Sequence, residues 1–592
     1  MSQTVGWERC LRQILPPRQI VPVTQREELS SEQQPSQAWD VEVDVLIAGS
    51  GAAGMVGAIS AHDRGLEAMI VEKGAKFGGS TALSGGVLWI PDNAILRKLG
   101  RGDDRAEVLD YLTAVVGDRV SQERLAAYAE RGPEVIDLLL RVSRHMSFTW
   151  CRGYSDYHPE LPGGRPLGRS IEPDPIDARK LGEDEPYLLA FDVPAPMGVW
   201  FTGYEARHLM MLKRTWKARS MLFVAAWRVV SNLFLRRRMK TLGSALIARL
   251  FLTLKDLGIP LWRETTVTEL LVEDGRVVGA IVLRDGKELR VRARGGVLMA
   301  TGGFDHDPVL RKEHLPELGQ PDFSAGAVTN TGDGHRLGAQ VGADFDLMDD
   351  AWWMPSIALP RGGVFPLVSE RCIPSMVIVG KDGKRFTNES APYVNFVHTQ
   401  IEAGHVPAYE IFDAKARSRY QFAGILPGRP FPRSFYKSGL VTRADTLDEL
   451  AEAIGVPAGA LQATVDRFNM QARQGRDDDF GRGASAYDHY YGDPTLPVPN
   501  LDTIDAGPYY AVKIEAGDLG TKGGMVTDVH GRVQRPDGSV IDGLYASGNA
   551  SAAVMGNDYA GAGATIGPAM LFAHLAMEHA AQGRHTADGT PG

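Results

Sequence analysis

The chain has 592 residues, 44% of them hydrophobic and 23% charged, and a formal net charge of -9. That length exceeds what one hydrophobic core carries and predicts two domains, while the acidic balance excludes a nucleic-acid binder. Three cysteines (Cys10, Cys151, Cys372), far apart and without a CxxC pair, exclude a disulfide scaffold or a cysteine-based zinc site and fit a reducing, cytoplasmic compartment.

Residues 1–40 are polar and Pro-containing, lack the apolar run of a secretory signal, and read as an N-terminal extension. No apolar stretch reaches the roughly 20 residues of a membrane span. The first element is VDVLIAG (43–49), a β-branched run typical of a buried parallel strand. Gly49-Ser-Gly51-Ala52-Ala53-Gly54 follows, then a helical stretch and a second strand, AMIVEK (68–73), carrying Glu72 and Lys73 at its end. Gly49 makes the tight turn, Gly51 lets backbone reach a pyrophosphate and Gly54 packs helix on strand. The helix N-terminus faces the phosphates, and Glu72 accepts ribose hydroxyls.

A second small-residue loop comes at once: Gly78-Gly79-Ser80-Thr81, then Ser84-Gly85-Gly86. It predicts a dinucleotide held along its whole length, a flavin rather than a nicotinamide. Residues 101–140 show helical spacing, and 153–173, rich in Gly, Pro and Tyr, reads as a loop carrying Tyr154, Tyr157, Arg165 and Arg169. Arg207 to Lys255 contains no Asp or Glu. It reads as a helical hairpin packed on the body with a solvated basic face, or as an interfacial helix making peripheral membrane contact. Residues 261–300 predict a small β-unit with DG turns at 274–275 and 285–286. It contains Val267 and ends in a β-run that turns at Ala300-Thr301-Gly302-Gly303. A glycine turn opening a helix follows at 330–343. From Ala351 the composition shifts to Trp, Pro and aromatics, and GKDGKRFTNESAPY spans 380–393. Finally DGLYASGNA (542–550) leads into GNASAAVMGNDYAGAGATIGPAM, a small-residue cradle containing Gly548, Asn549, Tyr559, Gly563, Thr565 and Ile566.

The set GSGAAG, VEKG, GGST, SGG, ATGGF and GLYASGN resembles the flavoprotein superfamily of fumarate reductases, succinate dehydrogenases and 3-ketosteroid dehydrogenases, from about residue 41 onward. The resemblance implies an α/β fold: a two-dinucleotide, Rossmann-like FAD-binding domain over 41–349 and 513–585, with an inserted α+β catalytic domain over 350–512. Members that attach FAD covalently carry a His where Ser80-Thr81 stand here, so FAD is expected to be non-covalent. The strand-rich unit with Val267 is expected beside the adenine.

Fumarate reductases place a proton-donating Arg five residues after the Asn of the Asn-Glu pair; here that residue is Tyr393. An Arg fork suits a dicarboxylate, whereas a Tyr suits an uncharged ketone. NDYAGAGATIGPAM is similar to the stretch of the Δ1-dehydrogenases in which a Tyr hydroxyl and a Gly N–H bind the steroid C3 carbonyl, here Tyr559 and Gly563, with Ala560 replacing the family's Pro. Tyr157 matches the family's third Tyr. The resemblance therefore implies Δ1-dehydrogenation of a 3-ketosteroid, with Tyr393 as base and a quinone or other acceptor taking the electrons. The alternatives are a Δ4-(5α) or other cyclic-ketone dehydrogenase, and a fumarate-reductase-like enzyme, which Tyr393 disfavours. The expected set contains no metal ligands.

Overall fold

The structure, a computed structural model, describes residues 38–190, 200–315 and 323–587. Most of the expected N-terminal extension and the last five residues of the chain lie outside them. The first strand, Val41–Ala48, is buried from Val43 on and pairs in parallel with Ala68–Val71 on one side and Lys287–Met299 on the other. Leu261–Trp262 and Val540–Ala546 extend this sheet, also in parallel. Continuous apolar strands buried on both faces need helices as cover. Helix Ala52–Asp63 provides it together with the C-terminal helix Ile566–Ala587, which carries the buried Met570, Ala573 and Met577. The expected β-unit is present: Thr265–Glu273, Arg276–Arg284 and Lys287–Met299 form an antiparallel meander. Its turns are Asp274-Gly275 and Asp285-Gly286, all four residues at positive φ, as tight hairpins require.

A second sheet contains Val364–Pro366, Ala351–Ala358, Tyr509–Thr521, Ala408–Asp413 and Met376–Val379 in that order, with Val441–Ala444 beside Tyr509–Thr521. All its pairings are antiparallel. Tyr509–Thr521 belongs to it along its whole length, residue 513 included.

Two expectations change. The stretch 153–173 is a loop only through Arg169; Ser170–Pro173 is a strand, because all four residues are buried and pair with Leu88–Trp89 and Phe148–Trp150. The 207–255 segment does contain two long helices, Trp216–Leu235 and Leu242–Leu257, but the solvated face of the first is apolar, not basic. Trp216, Phe223, Trp227 and Phe234 recur at intervals of seven, four and seven, which places them on one stripe. They are 75%, 74%, 71% and 89% exposed. The basic residues flank the stripe: Lys213, Lys217 and Arg219 at one end, Arg236, Arg237 and Arg238 at the other. The second helix is core, with Ala245, Leu246, Ile247, Ala248 and Leu250 fully buried.

Candidate active site

A cavity of about 890 Å³ runs from the ends of the first-sheet strands to the second sheet. Its long arm is built from small residues. Gly49 sits at φ +108 after the first strand, where a Cβ would overlap the Ala300 carbonyl. A Cβ on Gly54 would overlap the Gly49 carbonyl, so Gly54 brings helix against strand and does not itself line the cavity. A Cβ on Gly51, Gly79 or Gly548 would meet only ordinary van der Waals contacts, the nearest atoms being 3.7 to 3.8 Å away, so these glycines leave backbone open to the cavity. The remaining expected cofactor residues line the same arm: Ala52, Ala53, Glu72, Lys73, Ser80, Thr81, Ser84, Gly85, Gly86, Val267, Ala300, Thr301, Gly302, Asn549, Thr565 and Ile566.

The polar groups of this arm are pre-set. Glu72 accepts hydrogen bonds from the Ser50 N–H (3.1 Å) and hydroxyl (2.6 Å) and from the Gly74 N–H (2.8 Å). Lys73 donates to Thr331 and Asp333, both at 2.6 Å. The Ser80 hydroxyl accepts from the Ala327 N–H and the Asn330 amide. The Thr301 hydroxyl is buried without a protein partner, which in a cavity wall marks a place for a ligand atom. Backbone N–H groups at a helix start, an acid and open glycine faces together suit a dinucleotide.

The other end is aromatic. Tyr157, Tyr393 and Tyr559 meet as a triangle of rings, with centroids 5.4 Å (157–393), 5.1 Å (157–559) and 5.5 Å (393–559) apart. The Tyr157 hydroxyl donates to the Tyr393 hydroxyl at 3.2 Å. The Tyr559 hydroxyl lies 3.1 Å from Thr565 Oγ1 and within reach of the Tyr393 hydroxyl and the Gly563 N–H. Gly563 is at φ +96, where a Cβ would overlap the Val87 carbonyl. Burial pushes the Tyr393 phenol well above its usual range, against the hydrogen bond from Tyr157, which lowers it. Burial likewise raises Tyr559, opposed by hydrogen bonds from Thr565 and Tyr393.

Each tyrosine is fixed by its own surroundings. Fully buried Arg169 holds the Tyr157 loop: it pairs with Asp103 at 2.7 Å and with Asp156, which also accepts from the Trp89 indole (2.8 Å). Tyr393 opens helix Tyr393–Glu402, just after a buried pair of Arg385 with Glu389 (2.7 Å) and Asp477 (2.8 Å). Sequence reasoning missed several neighbours. The Tyr154 hydroxyl lies 3.4 Å from that of Tyr157, and the Tyr487 ring centroid is 4.7 Å from that of Tyr157. Trp352 packs edge-on against Tyr559 at 5.1 Å and donates to Asn549 at 3.1 Å. The cluster Tyr487-Asp-His-Tyr490-Tyr491 was the available signal.

A family model described as an FAD binding domain matches residues 44–566. A 3-oxosteroid 1-dehydrogenase of Mycolicibacterium smegmatis is 45% identical over 557 residues, 90% of this chain and 96% of that protein. The chain belongs to the 3-oxosteroid 1-dehydrogenase family of FAD-binding flavoproteins. The crystal structure of a family member from Sterolibacterium denitrificans, a 3-ketosteroid Δ1-dehydrogenase in complex with 1,4-androstadiene-3,17-dione, matches with a TM-score of 0.87 at 37% identity, covering 92% of this chain and all of that one. A 4-oxocyclohex-2-ene-1-carboxylate 5-dehydrogenase of Sinomonas cyclohexanicum is 35% identical, covering 90% of this chain and 93% of that protein. The cofactor of this family member is FAD, which the small-residue arm and its polar groups fit.

Gly54→Val is expected to leave the tyrosine end intact but to force helix and first strand apart. The purified variant should then lack yellow flavin absorbance and melt at lower temperature. Full FAD occupancy in that variant would contradict the packing described here.

Proposed function

We propose that the chain is an FAD-dependent 3-oxosteroid dehydrogenase that introduces a C1–C2 double bond into the A ring. The observation that carries this reading is the meeting of the Tyr393 and Tyr559 hydroxyls inside the cavity that fits FAD. In the proposal the Tyr559 hydroxyl and the Gly563 N–H donate to the C3 oxygen and stabilise the enolate, as an oxyanion hole does. Tyr393 takes the C2 proton, and the hydrogen bond from Tyr157 favours its phenolate. Bound FAD supplies the acceptor for the C1 hydride. One proton and one hydride leave, and the C1–C2 double bond forms. A quinone or other acceptor takes the reducing equivalents. Ser80 and Thr81, which stand where members that attach FAD covalently carry a His, line the cavity, which supports non-covalent FAD. We assign 41–349 and 522–585 to the FAD-binding domain and 350–521, with Tyr393, to the catalytic domain; the return falls after residue 521 and not at 513, because strand Tyr509–Thr521 lies wholly in the second sheet. The cyclohexenone-carboxylate relative favours a second reading, the same chemistry on a smaller cyclic ketone.

The geometry also supports peripheral membrane contact. Helix Trp216–Leu235 presents its exposed aromatic stripe between two basic clusters, the pattern of a helix lying in an anionic lipid surface. Arg228 bolts it to the cavity rim: it pairs with Glu205 (2.7 Å) on helix Gly203–Leu209, whose Tyr204 and Arg207 line the cavity. Among the described residues no helix is long and apolar enough to cross a membrane.

Tyr393→Phe should lower turnover of 4-androstene-3,17-dione by about 10²–10⁴-fold and Tyr559→Phe by about 10²–10³-fold while FAD stays bound, as expected for removing a base and an oxyanion donor. Because burial raises Tyr393 and its phenolate is the active form, the wild-type rate should climb about tenfold per pH unit on the acid side of its pKa. A flat profile between pH 6 and 10, which lies below the ordinary phenol pKa of about 10, refutes the base assignment.

In the second test, Trp227→Asp combined with Phe234→Asp should abolish co-flotation with vesicles of anionic phospholipid and leave turnover of dissolved steroid unchanged. Undiminished flotation would sink the membrane proposal.

A further inference from the structure

The three tyrosines come from segments far apart in sequence, and one carboxylate outside the ring triangle touches all three segments. Asp558 precedes Tyr559, and its Oδ1 accepts the Tyr559 N–H at 2.7 Å. The same oxygen is 3.0 Å from Nε2 of His158, the residue after Tyr157. The Asn395 side chain, two residues into the helix that Tyr393 opens, faces the same carboxylate and lowers its pKa. The Asp558 carbonyl accepts from Lys522 Nζ at 3.3 Å. Lys522 is fully buried and paired with Asp350 (3.1 Å), whose carboxylate also accepts from Asn557 (3.1 Å) and contacts His398 (2.9 Å). Backbone links run alongside: the Tyr157 N–H donates to the Ala560 carbonyl (3.1 Å), as does the Tyr111 hydroxyl (2.6 Å), which in turn accepts the His158 N–H (3.2 Å).

We propose that Asp558, acting through His158 and Asn395, is a positioning group that holds Tyr157, Tyr393 and Tyr559 in the register their hydrogen bonds require. The physical reason is that a hydroxyl–hydroxyl bond at 3.2 Å weakens steeply with small displacements, and two aromatic rings in contact do not by themselves fix one another's tilt. An ion pair with a directed hydrogen bond does. The pair is well shielded, its side chains being 15% and 24% exposed. The charged groups facing His158 are Asp558, Glu160 and Asp156, all acidic, and the neighbouring hydroxyl is that of Tyr111. Burial favours a neutral His158, but the Asp558 hydrogen bond and these charges outweigh it and raise its pKa. Burial would raise Asp558, but His158 holds it below the usual carboxylate range. Both shifts favour the ionised pair. Neither residue reaches the triangle itself, so both act through the tyrosines: when the Tyr157-to-Tyr393 bond loosens, the Tyr393 phenolate loses the donor that favours it.

The inference rests on the function proposed above, and its test separates the two. Asp558→Asn and His158→Gln are compared with wild-type holoprotein in two measurements. In the first, kcat for 4-androstene-3,17-dione is followed against pH. Both variants, with FAD retained, should be about tenfold slower at neutral pH, with the acid limb displaced upward by about one unit and the rate recovered at higher pH. In the second, amide exchange is followed without substrate. Segments 153–165, 392–402 and 556–566 should all exchange about tenfold faster (the signature of a local opening shared by the three), while Val41–Ala48 is unchanged. Unaltered exchange, or a rate lowered equally at every pH, overturns the proposal, whatever happens to the melting temperature. If wild-type protein does not turn over the steroid, the proposed function fails and the exchange data alone decide the role of Asp558.

Discussion

The site depends on buried charge that fixes where aromatic residues meet. Tyrosine rings pack in many tilts with little energetic difference, so contact alone leaves hydroxyl positions loose. Here a guanidinium sits beneath two of the three segments. Arg169 locks Asp156, and so Tyr157, through a pair with no solvent exposure on either side. Arg371 donates to the carbonyls of Glu389 (2.6 Å) and Ala391 (2.8 Å) immediately before Tyr393, while Arg385 holds Glu389 itself. Removing one partner of such a pair leaves a buried unpaired charge and costs about 3–5 kcal/mol. Such pairs are poor sources of net stability against an apolar packing, but they make one geometry much better than its neighbours.

The glycines of the C-terminal cradle answer to the same demand. A Cβ on Gly561 would overlap the Trp89 indole, and one on Gly563 would overlap the Val87 backbone. These residues are small because the chain passes against a strand and its tryptophan. That indole donates to Asp156, so the Tyr559 segment and the Tyr157 loop rest on one buried side chain. Cofactor arm and tyrosine end are thus continuous: Thr565 lines the FAD-binding arm and also bonds the Tyr559 hydroxyl.

The dinucleotide arm was legible in sequence because its physics is local. A tight turn, a close backbone approach and an acid at a strand end are each written within about 30 residues, as in a βαβ unit. The tyrosine triangle was legible only through family resemblance, since nothing local ties Tyr157 to Tyr393 or Tyr559. Tyr154 was visible only as a loop aromatic and Tyr487 only as part of an aromatic cluster, while the roles of both, of Trp352 and of the Asp558–His158 pair were not legible, because each acquires its meaning from a partner hundreds of residues away or from a ring stacked across the cavity. The 207–255 segment shows the limit from the other side. Its basic composition was plain, but which face of Trp216–Leu235 meets solvent depended on its packing against helix Gly203–Leu209, where Arg228 pairs with Glu205.

The central claim is that one substrate carbon gives its proton to Tyr393 while its neighbour gives hydride to the flavin. Anaerobic mixing of the holoprotein with a 3-oxosteroid deuterated at C1 tests it most directly, with loss of flavin absorbance as the signal. The account predicts bleaching that is slowed several-fold by that deuterium (a primary isotope effect on a rate-limiting hydride step), with a C1–C2 double bond in the product. Bleaching indifferent to deuterium at C1, with the new double bond elsewhere in the ring system, would contradict it.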